Sequence, residues 1–398
     1  MIMRDERINI CYGISDKSGN YAKIMGTSIC SLLENTDSPV TLHILHDKTL
    51  TEDNYKKIKN MVEKYRQMVC FHDVSEIWKD TWGEVEKMIA GYGEFRFTIG
   101  TFFRLLMGEW LKKEKRIIYL DADTIVNMDI KELWENYIPP SGMAAVTDVV
   151  IQNNMDYTVI RSGLVQGEGY FNAGVLLIDL DKFRGVDNIM KRSMEFISKY
   201  HTEGNDQDAL NYFFPHSNVL PEKYNCFVWR GKQEGEPKQG YIYHYVNNAI
   251  AMDMEDSFNR LYFRYFVKTP WCNENFIGNL ARKIEEVNYM YLNFANLCAG
   301  KRRIAIGLAD AREVISDMIH LNGEDIYISF EELGNVRLDY SRDKEIFVIF
   351  LNGGDYAMVR ERLVDFGLAE GVHFFDMFSM LGIINATNKI GYKLFFDC

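Results

Sequence analysis

A chain of 398 residues with 47% hydrophobic and 26% charged side chains is too long for one typical domain and too apolar to be disordered. Its formal net charge of -12 excludes a general nucleic-acid binder, whose footprint is a basic surface, but leaves room for a local anion site. Seven scattered cysteines, an odd number without a C-x-x-C pair, point to reduced thiols in a cytoplasm, and no stretch reads as a signal peptide or membrane span.

Residues 8–13, INICYG, read as a strand that enters a polar loop at 14–20. Apolar residues at helical spacing over 21–33 predict a helix, and its small patch Gly26-Thr27-Ser28 allows a close approach to a sheet. A second strand at 40–46 completes a βαβ unit, the signature of a parallel sheet. An exposed amphipathic helix over 51–65 and a short strand at 69–74 follow. Residues 97–111 predict a helix that carries Arg104 among Phe102, Phe103, Leu105 and Leu106. An arginine in such surroundings needs an anionic partner or a route to solvent.

Residues 116–126, RIIYLDADTIV, carry the strongest functional signal. Ile117, Ile118, Tyr119 and Leu120 form a buried-strand run that ends in Asp121 and Asp123. Two residues apart on extended backbone, these carboxylates are expected on one side of the chain. They repel unless a cation lies between them, and a divalent metal accepts such oxygens at roughly 2.0 to 2.3 Å. The alternative for a bare Asp-x-Asp is a solvated turn or helix cap. Its place at the carboxyl end of a strand favours the metal.

A short helix at 129–134, a strand at 144–147 and a polar loop over 151–169, a candidate substrate cover, come next. In YFNAGVLLIDL, residues 170–180, an Asn172-Ala173-Gly174 turn is expected to feed a strand at 175–178. NDQDALN, residues 205–211, gathers Asp206, Gln207 and Asp208 at a helix start, where one acid serves as a cap and the set exceeds what capping needs. His244 lies on the aromatic strand YIYHYV, residues 241–246. It is either a hydrogen-bonded core residue or a third metal ligand, better suited to Mn²⁺ than to Mg²⁺. Arg260, Arg264 and Lys268 recur every four residues beside aromatics, which fits a membrane-surface stripe or a helix packed on its own domain.

Beyond residue 272 the pattern restarts. A helix over 276–297, strands at 301–307, 326–330 and 345–351, and helices at 311–319 and 356–366 predict a smaller Rossmann-like α/β domain. Its first turn, Gly307-Leu308-Ala309-Asp310, lacks a glycine-rich fingerprint, so a docking or homo-oligomerisation module is expected rather than a dinucleotide site. The expected division is therefore 1–272 and 273–398.

Residues 8–272 resemble glycosyltransferase family 8, which contains glycogenin and bacterial lipooligosaccharide galactosyltransferases. The resemblance rests on an ordered set: NYAKIMGTSICSLLENT, FFRLL, YLDADTIV, YFNAGVLLIDL, NDQDALN, YHY and KTPW. It implies a GT-A fold, a mixed nucleotide-binding sheet with helices on both faces, using Mn²⁺ or Mg²⁺ and a UDP-sugar to transfer a hexose with retention. The implied acceptor is a glycan, free or lipid-linked, of a bacterial surface or cell-wall polysaccharide. The implied location is cytoplasmic, with peripheral membrane contact open. Carried over by position, Asp121, Asp123 and His244 would hold the metal, and Gly13, Asp16, Tyr21 and Ala122 would lie against the nucleotide. Arg104, Asn172 and Asp206 would grip the donor sugar, with Gln207 on its reactive face. Asn247 and Ile250 depart from the family's glycine and lysine, and Lys268 or Arg230 is a candidate replacement cation. The departure also fits a non-catalytic sugar-nucleotide binder or assembly protein, and 23 tyrosines fit a self-glycosylating primer enzyme.

Overall fold

In the computed structural model, residues 7–76, 83, 99–229, 235–246, 249–252, 254–333, 344–351, 353–377 and 395 are described. The chain divides into two compact units, residues 1–250 with 254–272, and residues 251–253 with 273–398.

The first unit is built on a six-stranded sheet. Its strands are β1 (Ile8–Ile14), β2 (Val40–His46), β3 (Met68–Asp73), β4 (Arg116–Leu120), β6 (Met143–Thr147) and β7 (Phe171–Asp179), in the order β3-β2-β1-β4-β7-β6. β1 pairs parallel with both β2 and β4, as the βαβ reading requires. The direction then reverses, because β7 runs antiparallel to β4 and to β6, and the sheet is mixed. A second sheet, β5-β9-β8, joins β5 (Thr124–Asn127), β8 (Cys226–Val228) and β9 (Tyr241–Tyr245).

The helix Tyr21–Asn35 is buried from Ala22 to Leu33 and packs on β5 and on the helix Ser257–Phe266. Its small residues position the chain after β4. Ser28 Oγ lies 2.9 Å from Thr124 Oγ1, which donates to Asp121 O at 2.8 Å, and Ser31 Oγ accepts from Val126 N at 2.9 Å. Gly26 makes room for Trp271, since a Cβ there would stand 2.1 Å from the indole Cζ3. That indole donates to Asn54 Oδ1 at 2.9 Å, which explains why the small patch and the KTPW segment occur in one chain.

Three local expectations are corrected. From Ile99 to Leu106 the segment around Arg104 is a 3-10 helix followed by one α-turn, Met107–Trp110. Burial of Phe102, Phe103, Arg104, Leu105 and Leu106 on all sides outweighs the local preference for an α-helix. Asp121 to Asp123 form a turn between β4 and β5, closed by Thr124 N donating to Asp121 O at 3.3 Å, and not extended backbone. Asn172, Ala173 and Gly174 lie inside β7. The β6–β7 register shifts at Ala145/Val146, and β4 pairs only from Val175 onward, so Ala173 N, Ala173 O and Gly174 N meet side chains while Gly174 O accepts from Asp121 N at 2.8 Å.

On the helix Ser257–Phe266 the aromatics Phe258, Tyr262, Phe263, Tyr265 and Phe266 are buried, while Arg260 reaches Glu236 and two carbonyls. The aromatic face of the basic stripe is therefore used within its own unit. No helix among the described residues is long and apolar enough to cross a membrane.

The second unit holds a parallel sheet, β11-β10-β12-β13, of β10 (Arg302–Gly307), β11 (Ile326–Ser329), β12 (Glu345–Phe350) and β13 (Phe374–Asp376). Apolar side chains of β10 and β12 alternate between two cores, Ala305, Ile346 and Val348 on one face and Ile304, Ile306, Phe347 and Ile349 on the other. β13 has no counterpart among the strands expected from the sequence. Three residues, Phe374–Asp376, give too short a pattern to read.

Candidate functional site

The acidic turn and β9 meet because Thr124 and His244 are register partners across the β5–β9 pair. His244 Nε2 lies 3.2 Å from Asp123 Oδ1 and 3.9 Å from Asp121 Oδ2, and one ligand atom from each residue falls within 4.8 Å of the others. Burial pushes the imidazole pKa down, but Asp123 and then Asp121 outweigh it, and the net direction is up. A cation-seeking charge arrangement is thus built in. Two carboxylates and an imidazole form the oxygen and nitrogen donor set that suits Mn²⁺. Gly174 is part of the seat: a Cβ at this position would stand 2.3 Å from His244 Cε1, so no larger residue leaves the ring in place.

Arg104 is the hub behind the acids. Its side chain is 7% exposed, and its NH2 lies 2.9 Å from Asp121 Oδ1. Nε lies 2.9 Å from Asp206 Oδ2 while donating to Thr101 O at 3.1 Å, and NH1 donates to the carbonyl of Ala173. Asp206 Oδ2 therefore neighbours the guanidinium as an ion pair without receiving an aligned hydrogen bond. Burial pushes the Asp206 carboxyl up to about 7 against the pull of Arg104, with Asp121 adding to the rise. The expectation that Arg104 needs anionic partners is met by two.

Asn172 and Gln207 are fully engaged with each other and with their surroundings. Gln207 Oε1 accepts from Ala173 N at 2.9 Å and Asn172 Nδ2 at 3.1 Å, while its Nε2 donates to Asp148 Oδ2 and the Tyr170 hydroxyl. The oxygen of Gln207, the residue that the resemblance places on the reactive face, is thus directed at Ala173 N and the Asn172 amide. Tyr170 donates in turn to Asp208, whose carboxyl also accepts from Gly204 N at 2.7 Å and is pushed up to about 6 by burial.

Arg104, Asp121, Asp123, Asp148, Asn172, Asp206 and Gln207 line an open cleft of about 410 Å³, together with Gly13, Tyr21 and Ala122, while His244 is buried and reaches the two acids from outside the lining. Asp16 is not among its lining residues. Its carboxylate accepts from Tyr21 N at 2.7 Å and Asn54 Nδ2 at 2.9 Å, which spends it on holding the start of the helix Tyr21–Asn35. Ile250 is 2% exposed and apolar, so it brings no charge. Lys268 does not line the cleft either, being paired with Glu34 and seated over Tyr265. Asn247 and Arg230 lie outside the described residues.

A profile of Glycosyl transferase family 8 matches residues 10–249. The chain belongs to glycosyltransferase family 8. This family 8 chain is 31% identical over 193 residues to a putative glycosyltransferase of Haemophilus influenzae, covering 48% of this chain and 55% of that protein. It is 30% identical over 303 residues to general stress protein A of Bacillus subtilis, covering 70% and 98%. To the lipopolysaccharide 1,3-galactosyltransferase of Salmonella typhimurium it is 28% identical over 233 residues, covering 55% and 64%. The chain thus spans about half of the first relative's length and under two thirds of the third's. A solved structure of the galactosyltransferase LgtC with donor and acceptor sugar analogues superposes with a TM-score of 0.55 at 22% identity, over 68% of this chain and 99% of that one. The fold is GT-A-like.

Several cleft residues of this family 8 chain carry no local sequence signal. Asp148 follows an ordinary strand, yet its carboxylate accepts from both Asn172 and Gln207. Tyr157, Glu203 and the pair Phe227 and Trp229 arrive from three separate segments. Only the polar character of 151–169, singled out as a substrate cover, pointed toward part of this wall. The same segment contains one helical turn, Thr158–Arg161.

Proposed function

We propose that this chain transfers a hexose from a UDP-sugar to a glycan acceptor with retention of anomeric configuration, using a divalent cation at Asp121, Asp123 and His244. The observation that carries the reading is the convergence of those three ligand atoms within 4.8 Å beside the Arg104–Asp206 pair in an open cleft. When bound, the cation supplies positive charge against the diphosphate on which negative charge develops as the sugar departs. Gly13 and Tyr21 offer a wall for the nucleoside, and Asp206 on the same lining suits a sugar hydroxyl. Asn172, Gln207 and Asp148 form a mutually bonded wall that holds its shape while the sugar reacts. The C1–O bond to phosphate breaks, the C1–O bond to the acceptor forms on the same face, and the acceptor proton passes to the phosphate oxygen. The lipopolysaccharide activity named for the Salmonella relative supports a bacterial surface glycan as acceptor, and a cytoplasmic location belongs to the same reading.

UDP release from UDP-glucose and UDP-galactose, with Mn²⁺ or a chelator and with or without acceptor glycans, tests this. Metal-dependent release that rises with an acceptor is expected, with the product anomer read by NMR. A second reading, a sugar-nucleotide binder without turnover, is favoured by the uncharged Ile250. It predicts metal-dependent UDP binding and no release with any donor. A mass increase of the chain itself after incubation with donor would identify self-glycosylation.

A further inference from the structure

Asn225 lies between the metal ligand and the sugar-facing wall, 2% exposed, in the turn that enters β8. Its side chain makes two contacts of opposite polarity: Oδ1 is 3.0 Å from His244 Nδ1, and Nδ2 donates to Asn172 Oδ1 at 2.8 Å.

The orientation of each amide follows from a backbone group whose role cannot change. Gly174 N–H, always a donor, points at Asn172 from 2.9 Å, so the atom it meets is the amide oxygen. Asn225 must then present its NH₂ to that oxygen, which leaves its own oxygen facing His244 Nδ1. In a neutral imidazole the proton therefore resides on Nδ1, and the Nε2 lone pair faces Asp121 and Asp123. Asn172 cannot reverse to suit another neighbour, because its NH₂ would then oppose Gly174 N–H. The same glycine both seats the His244 ring and sets the direction of the amide chain.

We propose that Asn225 is a positioning residue: it fixes the His244 ring and tautomer for cation binding and ties that ring to the Asn172 amide on the sugar wall. This rests on the metal reading above. It makes the cation site and the sugar wall one connected unit.

The test compares Asn225→Leu and Asn225→Asp with wild type and His244→Ala, measuring Mn²⁺ affinity by electron paramagnetic resonance with UDP present, donor KM and kcat, and melting temperature. Asn225→Leu removes the acceptor for Nδ1–H, and Mn²⁺ affinity is expected to fall roughly 10- to 100-fold. Asn225→Asp keeps that acceptor but sets an oxygen against Asn172 Oδ1. Its Mn²⁺ affinity is expected to stay within about threefold of wild type while donor KM rises roughly tenfold. Wild-type Mn²⁺ affinity in Asn225→Leu would overturn the proposal, as would a loss in Asn225→Asp equal to that of His244→Ala. If Asn225→Leu does not fold, the Asn225→Asp result decides alone. Undiminished Mn²⁺ binding in His244→Ala would overturn the metal reading itself, a distinct failure.

Discussion

Asp123→Ala is expected to lower hexose turnover by roughly 10³-fold, because it removes charge stabilisation at the departing diphosphate. Its carboxylate belongs to a turn held by Thr124 and by hydroxyls of the helix Tyr21–Asn35, and its side chain is 27% exposed. Little packing is lost with it. The metal-free variant should melt within a few degrees of wild type, since the substitution also removes a negative charge beside Asp121. Turnover at limiting Mn²⁺ together with a melting curve checks both halves. Full turnover with an unchanged Mn²⁺ requirement would remove Asp123 from the site.

The largest effect on stability is expected from Arg104→Met. The guanidinium is buried, lies 2.9 Å from both Asp121 and Asp206, and sits over the Tyr119 ring at 4.7 Å from its centroid. Methionine fills much of the volume but leaves two acids without their cation, and breaking a buried pair in this way costs about 3–5 kcal/mol. The loss should depend on pH. A carboxyl whose folded pKa lies above its unfolded value binds a proton more readily in the folded state. It favours folding below the unfolded pKa, and that advantage disappears as pH rises through the folded one. Asp206 is such a group, already pushed up to about 7, and without Arg104 it rises further. Arg104→Met is therefore expected to be least destabilising at acidic pH and progressively worse above neutrality. Adding Asp206→Asn should restore part of the loss at high pH. Denaturant unfolding across pH 5 to 9 measures this, and a pH-independent loss in the single variant would contradict it.

What could be read in the sequence was set by local pattern. The run Ile117 to Leu120 ending in acid, the βαβ start and the second α/β unit each depend on periodicity within a short window, and the structure has them. What could not be read was set by pairing. The reversal at β7 depends on which edge of β4 the returning chain joins, and nothing in YFNAGVLLIDL encodes direction. The Asp121–Asp123 stretch is a turn because β5 leaves for another sheet, a choice made by its partner β9. Arg104 and the acids could be nominated because charge in an apolar context demands an explanation. Asp148 and Asn225 could not, because their roles come from neighbours 24 to 59 and 19 to 53 positions away. At Asp16 the sequence shows an acid in the loop but not that its carboxylate accepts from Tyr21 N and Asn54 Nδ2 and so holds a helix start.

The most direct measurement is anomalous scattering at the manganese edge from crystals grown with Mn²⁺ and UDP. One strong peak bonded to Asp121, Asp123, His244 Nε2 and the diphosphate is expected, with the uracil end toward Gly13 and Tyr21. A diphosphate bound in the cleft with no peak among those three side chains, or a peak seated elsewhere, would contradict the account.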